Sequence, residues 1–117
     1  MNSNFKILNN TYKTINYFNK LLINYPKKEI VLRNNIEKNN YELIECIFAY
    51  NINKTSRIKD KYLKDAIVKM SMFDFYIRVS YDKKIISYRQ FEVITNFLSE
   101  IRKMTYGLIK KENENEE

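Results

Sequence analysis

Residues 87–111 read SYRQFEVITNFLSEIRKMTYGLIKK. Within this stretch Phe91, Ile94, Leu98, Ile101, Thr105 and Leu108 recur at alternating spacings of three and four. That spacing puts them on one line of a helix and matches the seam of antiparallel bundle packing. Ser87 followed three residues later by Gln90 is the S-x-x-Q pattern of a capping box, so a helix is expected to open here. The same stretch carries Arg89, Arg102, Lys103, Lys110 and Lys111. Arg102 flanks the seam, whereas Arg89, Lys103 and Lys110 fall on the side away from it.

Working outward, Asn-rich breaks, one Pro and one Gly leave three more stretches of about 20 to 25 residues with helical periodicity. The first runs from about Asn4 to Asn24, with Leu8, Tyr12, Ile15 and Leu22 as its expected core face. Tyr25-Pro26 ends it, because the residue before proline is pushed out of the α region. The second runs from about Lys28 to Tyr50 with Leu32, Ile36, Leu43, Ile47 and Tyr50 on one face, and NINKTS follows as a turn. The third, from about Lys59 to Tyr81, carries Tyr62, Ala66, Met70, Phe73, Ile77 and Tyr81. No strand pattern competes. Short connections make successive helices antiparallel neighbours, so the expected fold is all-α, an up-down-up-down four-helix bundle over residues 1–110. Residues 111–117, KENENEE, have no apolar side chain and are expected to form a disordered acidic tail.

The third helix has a second apolar stripe. Val68, Met72, Phe75, Tyr76 and Val79 are also spaced by threes and fours, and at about 100° per residue they cluster roughly opposite the core face. The second helix has a weaker counterpart in Tyr41, Phe48 and Ile52. Exposed, such a stripe exceeds what a soluble monomer normally shows, so a homo-oligomer with the third helix at the subunit boundary is expected. The alternative is a kink or rotation that turns part of the stripe into the helix's own core.

Several chemistries are disfavoured by what the chain lacks. It has no His, which removes the commonest general base and metal ligand, and its single Gly107 excludes glycine-rich phosphate loops. No catalytic residue, cofactor, metal site or small-molecule substrate is expected. Glu42 and Glu45 lie three apart but read as solvated, and Cys46 reads as a small core hydrophobe. Gly107, inside a helical pattern, calls for a close helix approach or a helix end. The N-terminus lacks a signal-peptide pattern and no apolar run approaches membrane-spanning length, so a cytoplasmic protein without membrane contact is expected. NNT at 9–11 and NKT at 53–55 match a glycosylation pattern that has meaning only after secretion.

Charge is the more informative feature. The 117 residues hold 21 Lys and Arg against 14 Asp and Glu, a net +7, and because the last seven residues carry −3, residues 1–110 carry +10. Such a field attracts polyanions. In an antiparallel bundle the connections after the first and third helices share one end, so Lys27, Lys28, Lys83, Lys84 and Arg89 are expected to converge on one pole. With Arg78, Arg102, Lys103 and Lys110 they are the candidate contacts to RNA or DNA phosphates, which give affinity without sequence specificity. Exposed tyrosines such as Tyr88 and Tyr106 are candidates for stacking on unpaired bases. On charge alone, lysines that merely keep a helical surface soluble are an equal reading.

The junction NYPKKE, the helix IEKNNYELIECIFAYN, the entry ISYRQFE and the ending LSEIRKMTYGLIK together resemble the Avd-like proteins, the accessory variability determinants of diversity-generating retroelements. The resemblance covers residues 5 to 110 and is most specific at Ser87, Arg89, Gln90, Glu92, Glu100, Ile101, Met104 and Gly107. It implies a non-catalytic four-helix bundle that assembles as a basic, barrel-like homopentamer. It further implies nucleic-acid binding and association with the retroelement reverse transcriptase in support of mutagenic cDNA synthesis. The related proteins encoded in ribosomal RNA intervening sequences carry a Ser/Pro-rich turn in the second helix region that this chain lacks. They supply the alternative, an oligomeric scaffold acting through protein contacts.

Overall fold

A computed structural model describes residues 3–115, with side chains described for residues 5–114. Four helices follow one another: α1 (Ser3–Leu22), α2 (Ile30–Ile52), α3 (Ser56–Asp82) and α4 (Tyr88–Asn115), with a 3-10 turn at Lys27–Glu29 before α2. There is no strand among the described residues. Each helix packs against its chain neighbours and α4 closes back on α1, while the diagonal backbones stay apart. The result is a rod of 49 × 23 × 21 Å.

Cross-helix pairs show that neighbours run antiparallel, since residue numbers fall on one helix as they rise on the next. Tyr17 meets Phe97 and Asn10 meets Met104 between α1 and α4. Glu42 meets Lys69 and Tyr50 meets Lys59 between α2 and α3. Met70 meets Arg102 and Tyr81 meets Phe91 between α3 and α4.

The core follows from the apolar spacing. Ile36, Leu43, Ile47 and Tyr50 of α2, Ala66, Met70, Phe73 and Ile77 of α3, and Ile94, Leu98, Ile101, Thr105 and Leu108 of α4 are buried. Phe18 and Phe73 meet edge to face at 4.9 Å and fill the space between the diagonal helices. Phe91, Tyr62 and Leu32 are only half-buried at the rim.

The first helix differs from its expected face. Ile7, Thr11, Thr14, Ile15, Phe18 and Leu22 are buried, whereas Leu8 is half-buried and Tyr12 is exposed. Two threonines occupy the seam instead: the Thr14 hydroxyl donates to the Asn10 carbonyl at 2.8 Å, which lets a small polar side chain face the core. Tyr12 lies in a shallow apolar groove between α1 and α2 with Phe5, Leu8, Ile44 and Phe48. Asn39 and Asn40 are likewise buried, donating to the Lys69 carbonyl and to Asn19 Oδ1, both at 3.0 Å.

The helix ends are specific. The Ser87 N–H donates to Gln90 Oε1 at 2.9 Å and the Gln90 N–H to Ser87 Oγ at 3.1 Å, the reciprocal capping box expected from the sequence. Leu22 ends α1 ahead of Pro26, and the Tyr25 hydroxyl donates to Ser80 Oγ at 2.7 Å, tying this connection to the end of α3. Two expectations for α4 do not match. A Cβ on Gly107 would meet nothing within 4 Å, so neither a close approach nor a helix end accounts for it. The helix also runs on to Asn115, through most of the stretch whose composition suggests disorder; Glu116 and Glu117 lie outside the described residues. Its continuation is supported by Glu112, which is 7% exposed beside buried Tyr50.

Candidate nucleic-acid interface

The connections after α1 and α3 meet at one pole. Lys28, Lys83 and Lys84 line a single depression there with Asn24, Pro26, Glu29 and Ile85, and Lys27 is exposed in the same turn. Lys83 Nζ lies 3.2 Å from Glu29 Oε2, an ion pair that bridges the two connections. Exposed Lys27, Lys28, Lys84 and Arg89 make no ion pair among the described residues. Their charge faces water.

Lys84 is placed by a backbone device. The Lys84 N–H donates to the Tyr81 carbonyl and the Ile85 N–H to the Ser80 carbonyl, both at 2.9 Å, the paired bonds of a Schellman motif closing α3. The residue between helix and exit must then be left-handed, and Lys84 has φ 62°. Glycine is the usual occupant, because a Cβ costs roughly 1–2 kcal/mol in this conformation. Ile85, the next residue, packs against the core and locks the turn.

The other candidate cations are spread along the rod. Arg78 sits on α3 just before the pole and donates to Asp74 at 3.1 Å. Arg102, about 20 Å along α4 from Arg89, is half-buried and its guanidinium reaches the Met70 carbonyl at 3.5 Å. Neighbouring Lys103 is exposed, and Lys110 is exposed toward the opposite pole. Lys27, Lys28, Lys83 and Lys84 therefore come together, Arg89 lies in the first turn of α4 at the same end, and the other four candidates stand apart.

On the second apolar stripe, Val68 (59%), Met72 and Phe75 (54%) are exposed, and Tyr76 and Val79 are half-buried. The third helix is continuous from Ser56 to Asp82, and only Tyr76 among these residues packs against the core. Tyr41, Phe48 and Ile52 of α2 are also exposed.

Sequence reasoning assigned Tyr81 and Phe91 to core seams; Phe91 is half-buried and packs against the core, whereas Tyr81 is exposed. Tyr81 lies 4.8 Å from Phe91 and 6.2 Å from Tyr88, ring centroid to ring centroid, in an aromatic cluster at the α3–α4 corner. Their periodicity marks an apolar face but not that the face ends at the pole.

A family model described as bAvd-like matches residues 5–112. The chain belongs to the bAvd-like family. Searches of curated proteins and of solved structures return no match. The bAvd-like assignment agrees with the all-helical, four-helix architecture and points in general terms to an accessory role in diversity-generating retroelements. Among the described residues no group of three or more His, Cys, Asp or Glu side chains is arranged to hold a metal ion. No helix among them is long and apolar enough to cross a membrane.

Proposed function

We propose that this protein is a non-catalytic, nucleic-acid-binding accessory subunit that associates with a retroelement reverse transcriptase and supports mutagenic cDNA synthesis. The observation that carries the reading is the bAvd-like match over nearly the whole chain. The unpaired Lys27, Lys28, Lys84 and Arg89 at one pole support its nucleic-acid half, because backbone binding needs clustered cations free to neutralise phosphates. On this reading the accessory protein holds template or product strands near the polymerase and performs no chemistry.

The reading includes a homo-oligomer, with a pentamer as the family resemblance implies. Support comes from two apolar patches on different faces, the α3 stripe around Val68, Met72 and Phe75 and the α1–α2 groove around Phe5, Tyr12 and Phe48. A contact between unlike patches is head to tail and forms a ring when its rotation closes. The same patches are what favours the second reading, an oligomeric scaffold of the intervening-sequence type acting through protein contacts alone.

Co-expression with the cognate reverse transcriptase tests the proposal. The expected result is a co-purifying complex whose cDNA synthesis on the element's own template falls to background without this chain. A stable oligomer by light scattering that neither binds the polymerase nor changes its products would establish the scaffold reading instead. A monomer at micromolar concentration would overturn the oligomer claim.

A further inference from the structure

We infer that the α3–α4 corner is a site for an unpaired base of a single strand, with Tyr88 and Tyr81 as the stacking surface and Lys84 and Arg89 as the contacts to its flanking phosphates. This rests on the nucleic-acid reading above and adds to it a location and a strand preference.

Tyr88 is 61% exposed in the first turn of α4, and its ring lies nearly parallel to Phe91, 25° apart with centroids at 6.4 Å. Phe91 is in turn 4.8 Å from Tyr81. Phe91 is thus in ring contact with both tyrosines, an arrangement already present without a ligand. A π-face supported from behind and open in front is what base stacking requires.

The cations stand beside this surface. Lys84 lines a depression with Tyr81, Asp82, Ile85, Ile86, Ser87 and Gln90, and it also lines the basic depression of Lys28 and Lys83. It occupies the ridge between the hollow beside Tyr81 and the basic one, and Tyr88 adjoins that hollow through its ring contact with Tyr81. Arg89 is adjacent to Tyr88 in sequence, exposed, and without an ion-pair partner among the described residues. A strand with its base on Tyr88 can run its phosphates past Arg89 and Lys84 toward Lys28. Asp82, exposed on the rim, repels phosphate and keeps the backbone on the basic side.

The left-handed backbone of Lys84 fits this assignment. The turn would hold with glycine at lower cost, and what a lysine adds there is a charged arm at the boundary of the two hollows. Strand preference follows from the aromatic half of the site, because in a duplex the base faces are covered by their neighbours and only the phosphates remain to be read.

The test compares Tyr88→Leu and Tyr88→Phe with the native protein, all of checked oligomeric mass and helicity, binding a labelled 12-nucleotide single-stranded RNA and a blunt duplex of the same length. Tyr88→Leu is expected to weaken single-strand binding about tenfold, the order that base–aromatic stacking supplies. Duplex affinity should change by less than about twofold, and Tyr88→Phe should bind the single strand like the native protein. Native binding to both probes with no selective loss in Tyr88→Leu would overturn this site while leaving the nucleic-acid reading intact. If the native protein bound neither probe at low salt, both would fall.

Discussion

Two lysine clusters at opposite ends of the rod differ in how their cations are partnered. At the pole of the α1–α2 and α3–α4 connections, Lys27, Lys28, Lys84 and Arg89 are exposed and unpaired, and Lys83 alone is matched, by Glu29. At the other end Lys54, Arg57, Lys110 and Lys111 are likewise exposed without an ion pair among the described residues, but the lysine cluster in the first turns of α3 has its charge folded back on the protein. Lys61 pairs with Asp65 at 2.9 Å and Lys64 with Asp60 at 2.8 Å, Lys59 sits 4.7 Å over the Tyr50 ring, and Glu112 is buried beside the same tyrosine. Lysine number therefore says little about binding. What distinguishes the two clusters is whether each cation already has a partner, since an unpaired surface cation can release its counterions to a polyanion and a paired one must first give up a carboxylate.

The largest expected effect separates the poles by their tyrosines. Tyr50 is 2% exposed, so Tyr50→Ala should cost about 3 kcal/mol or more in urea unfolding, as other buried aromatic truncations do. Tyr88→Ala, at the exposed pole, should stay within about 0.5 kcal/mol of native. Comparable losses would mean that the Tyr88 cluster is a structural element of the core rather than a free surface.

Next comes charge. Lys28→Glu, Lys84→Glu and Arg89→Glu together should lower RNA affinity by roughly a hundredfold and reduce the salt slope by about 2 to 3. Lys61→Glu with Lys64→Glu, in the paired cluster of α3, should change affinity by about threefold or less through the general field alone. Equal effects on anisotropy titrations would erase the distinction between the two clusters.

Two substitutions sharpen it at about 1 kcal/mol. Lys84→Gly removes the cost of a left-handed lysine, so it should stabilise the fold by roughly 1 kcal/mol while weakening RNA binding several-fold. Stability and affinity moving in opposite directions would mark a residue held for its charge. Gly107→Ala has open space for its Cβ and should raise stability by about 1 kcal/mol in thermal unfolding. If it instead breaks the oligomer, the bare backbone at Gly107 faces another subunit.

The smallest effect under ordinary conditions is that of pH. Burial raises the Tyr50 hydroxyl above its ordinary 10.0, with Glu112 adding to the shift. Burial likewise raises Tyr25, partly offset by its hydrogen bond to Ser80. A hydroxyl whose pKa is higher folded than unfolded holds its proton more tightly when folded. Its contribution to stability is full below about pH 10 and is lost as pH rises through the folded pKa. Stability should therefore be flat with respect to these groups from neutral pH to about 9, then fall. Tyr25→Phe and Tyr50→Phe should blunt that alkaline decline in urea melts, and a decline unchanged in both would assign it to other groups.

The helices and most of the core were legible because they depend on local rules. Spacings of three and four marked α2, α3 and α4, and Ser87 with Gln90 marked the start of α4 to within a residue. Convergence of the two lysine pairs at one pole also followed from connection lengths and antiparallel order. What could not be read depends on partners distant in sequence. Asn39 and Asn40 look like helix-breaking polar residues until the Lys69 carbonyl and Asn19 are in place to satisfy them. Thr11 is buried on the α1 seam and Tyr12 is exposed, a choice that periodicity does not encode. Glu112 reads as part of a solvated tail until Tyr50 is seen beside it. Arg102 reads as a flank of the α4 seam, and its reach across to the Met70 carbonyl is not in the spacing.

The most direct test of the central claim is the salt dependence of RNA binding by the native protein, followed by fluorescence anisotropy between about 50 and 300 mM monovalent salt at known oligomeric mass. The account predicts measurable binding near 150 mM and a log–log slope of magnitude about 3 or more, as expected when the unpaired cations of the Lys28–Lys84–Arg89 pole neutralise phosphates. No binding at 50 mM, or binding whose affinity is flat across the range, would contradict it and leave the basic surface as a solvated coat on a protein scaffold.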